Sequence, residues 1–360
     1  MAASAGSLPV ASAQRSVLER ARAHPARLTA AALVALGLTL VVGVGLGSVP
    51  VSPADILGIL GRRVLGLPIA STWPPAAETI VLDLRLPRVL TAVVVGGGLA
   101  VAGATFQGLL RNPLADPYVL GTASGAALGA AIAVVIPLRA AILEFGLVQL
   151  FAFIGAVAAI TVVYRLSRSG PLAPLTGLLL TGYAVGSLLA AGLSMAMYLS
   201  GSSLRQIFSY LLGGLDGSSW LRLAGTTPII ILGSAAILLR ARSLNALLLG
   251  EEAAAHLGID VGRERTVLLG LASLVTAAAV SICGLVGFVG LVIPHLVRLV
   301  TGPGARRVLP LSALGGAILL VLADVVARLL GEIPVGVVTA VIGAPFFLVI
   351  LRRARTGYEL

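Results

Sequence analysis

The sequence contains no lysine. A Walker A loop needs one to reach the nucleotide phosphates, so this chain does not hydrolyse ATP by that route. A single cysteine, Cys283, excludes a disulfide framework and a cysteine-held metal cluster. The three histidines, His24, His256 and His295, are too scattered for a ligand motif. No catalytic residue and no metal ligand is expected. Charge is also scarce: 11% of residues are charged, against about 25% in soluble domains. What fills the space is apolar, at 58% of residues, with 44 glycines among 360 positions. A chain so composed reads as a polytopic helical membrane protein. Its net charge of +11 is all arginine and reads as membrane-side anchoring rather than nucleic-acid binding.

One charged island interrupts the apolar pattern. Residues 240–265 carry Glu251, Glu252, Asp260 and Glu264 among Arg240, Arg242, Arg263 and Arg265. Each such charge costs roughly 3 kcal/mol at the centre of a bilayer, so the island must lie in water between two spans. Its pattern predicts two short helices joined at Gly250. Leu244, Leu247 and Leu248 make the apolar face of the first, and Ala253, Ala254 and Leu257 a weaker one on the second.

Charge-free stretches then place the spans. The first runs over 28–54, after an arginine-bearing tail at 1–27. Residues 49–87 read as a loop with a short surface helix. Further spans are expected near 88–111, 116–139, 144–165, 175–199, 222–240, 266–283, 288–301, 308–330 and 332–352, with a tail at 354–360. Ten spans put both termini on one side. Seventeen of the 25 arginines fall in the segments on that side, which makes it cytoplasmic, the island included. Gly121, Gly125 and Gly129, and Gly182 and Gly186, recur every four residues, a pattern for close helix packing. His295, after Pro294, is expected in a helix-terminal hydrogen bond.

Several motifs resemble one family. Glu252-Ala253-Ala254, three residues and Gly258 make the EAA-xxx-G signature of ABC-importer permeases. Leu84-Arg85-Leu86-Pro87-Arg88, the run Gly108 to Pro117 with its Arg111-Asn112-Pro113, Gly287 to His295, Ala323 to Arg328 and Ile333 to Ala340 resemble the FecCD-type permeases. That family imports iron–siderophore complexes, haem and vitamin B12. The resemblance covers residues 28–353. It implies an all-α membrane protein with the type II importer permease fold, ten helices per subunit, in the bacterial plasma membrane. It implies a second copy of the chain, two ATPase subunits that bind the ATP and magnesium, and an extracytoplasmic binding protein. The chain itself would be no enzyme and hold no cofactor. By the same resemblance Arg85, Arg88 and Arg328 would dock the binding protein. Leu247, Leu248, Glu252, Ala253, Ala254 and Gly258, within the coupling helices at 244–260, would meet the ATPase. Leu175, Thr176, Ser194, Tyr198 and Ser202 would line the path between subunits, with a turn at 171–177 as inner gate. A secondary transporter or channel is the alternative reading, and an intramembrane enzyme a third. The transporter or channel would want intramembrane carboxylates or histidines on the path, where only Asp324 comes near; the enzyme would need a metal cluster or a paired acid–base set within the spans, and none is visible.

Overall fold

A computed structural model describes residues 25–47, 49–136, 146–168 and 174–355. Among these residues all regular structure is helical, with no strand. The helices are α1 Pro25–Gly45, α2 Pro53–Arg63, α3 Pro75–Thr79, α4 Leu86–Leu109, α5 Thr122–Val135, α6 Leu147–Arg168, α7 Pro174–Leu199 and α8 Leu204–Leu212. They continue as α9 Trp220–Leu239, α10 Ala241–Leu249, α11 Glu251–His256, α12 Val261–Cys283, α13 Val289–Thr301, α14 Ala305–Leu329 and α15 Val335–Arg355. Seven are long and apolar enough to cross a membrane, counting 75–109 as one, and α5, α13 and α15 are shorter apolar helices. Hydrocarbon offers no partner for a free backbone group, which is why charge-free runs of this length fold as helices.

The helix ends follow local chemistry. Ser52, Ser219 and Asp260 accept the N3 amides of α2, α9 and α12. Gly213 and Gly284 close α8 and α12 at positive φ, and their Cβ atoms would collide with Leu285 O and Tyr210 O. These two breaks meet one another: Gly214 N donates to Cys283 O at 2.8 Å, and Gly336 N to Gly213 O at 3.2 Å.

Residues 75–85 differ from the expected loop. Pro75 starts a helix, residues 80–85 take the wider π turn, and the chain runs unbroken into α4. The carbonyl of Leu82 is taken by the Trp220 indole at 3.0 Å, a long-range partner that sequence spacing does not reveal. Trp73 and Arg63 both donate to Glu78, fastening α2 and α3 beside it.

The core is organised on α4. Of the apolar window of 75–109, 78% is buried, against 11% for α7. The largest packed pair is α4 on α14. A Cβ on Gly96 would fall on the Gly316 carbonyl, and one on Gly316 on that of Gly96, so the two backbones touch. Gly125 and Gly155 do the same for α5 and α6. Gly182 and Gly186 of α7 lie against residues 119–121. Gly121 is not a packing position within α5 but its left-handed N-cap.

Candidate functional site: two ends of one helix pair

The α4–α14 pair has two polar ends, and each holds a set of candidate residues. At one end lie Arg85, Arg88, Asp324 and Arg328. Asp324 is fully buried. Its carboxylate accepts from Arg88 Nε at 2.8 Å, and its other oxygen forms an ion pair with Arg328 Nε at 3.0 Å. Arg88 reaches two further acids, Asp216 and Glu332, each at 3.0 Å. Arg85 and Arg328 turn towards α1. Arg85 Nη1 donates to Val44 O and Gly45 O at 2.9 and 3.0 Å, and its Nη2 to Val49 O. Arg328 donates to Gly43 O and Leu46 O at 2.7 and 2.8 Å. The last carbonyls of a helix have no partner within it, and cations are favoured there. The two guanidiniums therefore close the C-terminus of α1.

This alters the expectation for those arginines. Arg85 and Arg328 are 7% and 5% exposed, so they are not surface arginines with free guanidiniums. The i,i+4 pairing of Arg328 with Asp324 is present. All three arginines, with Asp216 and Glu332, line a cavity of about 350 Å3.

The other end holds the charged island. It forms an elbow, α10 and α11, hinged at Gly250 with φ +131°. The EAA-xxx-G glycine has a conformational reason. Gly258 sits at φ +79° just past α11, where Ile259 N reaches Ala254 O at 3.1 Å and Gly258 N reaches Ala255 O at 2.9 Å. These two bonds are a Schellman cap, whose left-handed residue is ordinarily glycine. Asp260 then opens α12. Two ion pairs, Arg265 with Glu251 and Arg240 with Glu264, pin the elbow to α12.

Two expected contact residues face the wrong way for a partner. Leu247 is 3% exposed and Ala254 not at all. The reason is amphipathic: Leu244 and Leu247, three apart, share the face that α10 lays on α4 and α14, with Leu244 against Gly108. Leu248 and Ala253 are half-buried, and Glu252 and Gly258 are exposed. The exposed large apolar residues of the elbow are Leu249 and Leu257, at 74% and 65%. They flank the two glycines. Leu249 lies two residues past Leu247, on the opposite helix face, an offset already present in the spacing of the sequence.

The elbow also bonds to both helices of the pair. Arg111, just beyond α4, donates Nε to Leu247 O at 3.0 Å. Asn245 of α10 accepts from Ala305 N, the first residue of α14, at 2.6 Å. Beyond Arg111 the chain makes two side-chain turns: Asn112 Oδ1 accepts from Leu114 N at 2.9 Å and Asp116 Oδ1 from Tyr118 N at 2.8 Å. Burial pushes the Asp116 carboxyl up to about 6, against the opposing pull of the Tyr118 amide.

The third set lies on α7. Thr176, Ser194 and Tyr198 are exposed on it, Tyr198 at 85%, and Ser202 is exposed in the turn that follows. Ser194 Oγ donates back to Ala190 O at 3.0 Å. Residues 174–177 are the first turn of α7 rather than a gate turn, 171–173 lie outside the described residues, and nothing is described of the Leu175 side chain. The tails at 1–24 and 356–360 also lie outside them. His295 stands edge-on to Phe346 at 6.5 Å in mid-helix, not at a helix end.

Comparison with known proteins places this geometry. The FecCD transport family matches residues 33–353. The cobalamin import system permease BtuC of Halobacterium salinarum is 47% identical over 79% of this chain and 76% of its own length. The hemin transport system permease HmuU of Yersinia pestis is 41% identical over 83% of this chain and 92% of its own. A solved structure assigned to the metal-chelate type of ABC transporter, inward-facing, superposes with TM-score 0.78 at 30% identity, covering 91% of this chain and 99% of that one.

Proposed function

The chain belongs to the FecCD transport family, a multi-pass membrane permease of ABC importers, and from that premise we propose that its cargo is a large metal chelate: a ferric siderophore, haem or cobalamin. Relatives named for cobalamin, hemin and ferric citrate support this class. The chain spans the membrane ten times, the seven long helices being joined by the three short ones. Residues 28–353 form the permease domain, between tails at 1–27 and 354–360. Both termini and the elbow face the cytoplasm of a bacterial cell.

Two copies pair across α7, whose exposed face carries Ser194 and Tyr198, and cargo passes between them. Two ATPase subunits grip the elbows and bind the ATP and magnesium; this chain supplies no chemistry of its own. The observation that carries the reading is the elbow. It is exposed on one side through Leu249 and Leu257, and bonded on the other to both helices of the central pair. A push from water is thereby passed to buried helices. At the arginine end an extracytoplasmic binding protein docks. Its carboxylates enter the cavity at Arg88, displacing Asp216 and Glu332, whose side chains are 58% and 46% exposed.

A carrier driven without ATP would need an intramembrane group free to change its charge. Asp324 is instead held by two arginines.

The test is a pull-down of the tagged chain from its own membranes. We expect a nucleotide-hydrolysing subunit and a binding protein, with a metal chelate identified by mass spectrometry on the latter. A chain that purifies and transports with no hydrolysing companion would sink the proposal.

A further inference from the structure

The exposed half of the elbow explains how a partner could hold it, not how motion leaves it. We infer that Asn245 and Arg111 are the positioning residues that fix the elbow to the α4–α14 pair, so that the pair moves as one rod. The inference rests on the permease reading.

Both bonds satisfy helix ends across chain segments. Ala305 N is among the amides that open α14, and Gly304 before it has no side chain to cap them. Asn245, sixty residues earlier on α10, accepts from it. Leu247 O lies in the last turn of α10, and Arg111 donates to it from just past the end of α4. Arg111 holds φ +47°, a left-handed conformation uncommon for a residue with a side chain. That backbone brings the guanidinium back over α10. One bond thus joins the elbow to the end of α4, the other to the start of α14.

The pair itself transmits rather than yields. Gly96 and Gly316 touch backbone to backbone, and a Cβ on Gly97 would meet Ala313 O at 3.2 Å, so neither helix slides on the other without a clash. The far ends are locked by Arg88 and Asp324. Twenty-four residues of α4 span about 36 Å. Displacement of the elbow is therefore delivered to the arginine cluster, and docking at the cluster is delivered to the elbow.

The test uses the whole importer in proteoliposomes, the chain with its ATPase subunits, and reads ATP hydrolysis with and without ligand-free binding protein. Asn245→Asp keeps the acceptor and should keep wild-type stimulation. Asn245→Leu keeps the size and loses the acceptor; stimulation should fall about fivefold, the ratio that corresponds to a lost cap. Arg111→Met, which keeps the stem and loses the donor, should do likewise. Assembly of each variant is checked by size-exclusion chromatography. Wild-type stimulation in Asn245→Leu or Arg111→Met overturns the inference, as does an equal fall in Asn245→Asp. Failure of both Leu and Met variants to assemble also overturns it, because the two bonds then belong to folding and not to coupling. A wild-type importer whose hydrolysis ignores the binding protein would remove the permease reading itself.

Discussion

The two ends of the α4–α14 pair handle charge in opposite ways. At the arginine end, Arg85 and Arg328 are buried and their donors go to carbonyls of α1, while Asp324 lies fully enclosed between two guanidiniums. At the elbow, Glu251, Glu252, Arg242 and Asp260 are open to solvent. There the bonds that reach the helix pair involve backbone atoms of Leu247 and Ala305. The difference lies in what each end must solve. The first closes the end of a membrane helix against the bundle, so its cations are structural before they are anything else. The second is left exposed to solvent, and it attaches to the helix pair through bonds to backbone atoms of Leu247 and Ala305.

The largest effect should come at the buried acid. Asp324→Ala leaves two arginines enclosed without their partner and should cost about 3–5 kcal/mol, read by thermal unfolding in detergent. Asp216→Ala at the same Arg88 should move stability by less than about 0.5 kcal/mol, since that acid is mostly exposed. Equal losses from the two would erase the distinction between enclosed and open charge at this end.

The elbow end has a half-buried acid, Asp116, that qualifies the comparison. Asp116 titrates near about 6 in the fold, against about 3.9 when unfolded. The fold favours the protonated form. The carboxylate therefore costs nothing below the lower value, and its penalty grows through that window until it is complete above pH 6. Asp116→Asn keeps the acceptor for Tyr118 N and should be the more stable protein at pH 7 by about 3 kcal/mol. The gap should close below pH 4. A gap independent of pH would refute the assignment.

The smallest change in stability is expected where the comparison says the surface is free. Leu249→Ser with Leu257→Ser should leave unfolding within about 0.5 kcal/mol of wild type. The same pair should weaken capture of the ATPase subunits about tenfold, measured by titration in nanodiscs. A large stability loss with unchanged capture would show these leucines to be core residues.

Much of this was legible in the residues, and the misses share a cause. The spans could be read because charge cannot lie in hydrocarbon. The break at Gly250 could be read because chain turns constrain residue type locally; Gly258 stood only as part of a motif, and its left-handed φ is what the structure adds. The helical start at Pro75 was missed, since proline-rich sequence reads as loop and the Trp220 partner of Leu82 is far along the chain. The destinations of Arg85 and Arg328 were equally hidden: their acceptors are carbonyls of residues 43–49, and every residue has a carbonyl. The burial of Leu247 was hidden too, because an apolar stripe looks the same whether it meets the chain's own core or a partner.

The sequence by itself determined the membrane class, the helical fold, the family and the position of the wet elbow. The family follows from the resemblance of its motifs; the others follow from composition or from spacing within a few residues, where sterics and solvation act locally. Only the tertiary structure decided which charges are enclosed, which leucines remain outside, and that Asn245 and Arg111 tie the elbow to both helices of the central pair. Those outcomes depend on backbone atoms brought together from distant segments, and backbone atoms leave no mark in the order of side chains.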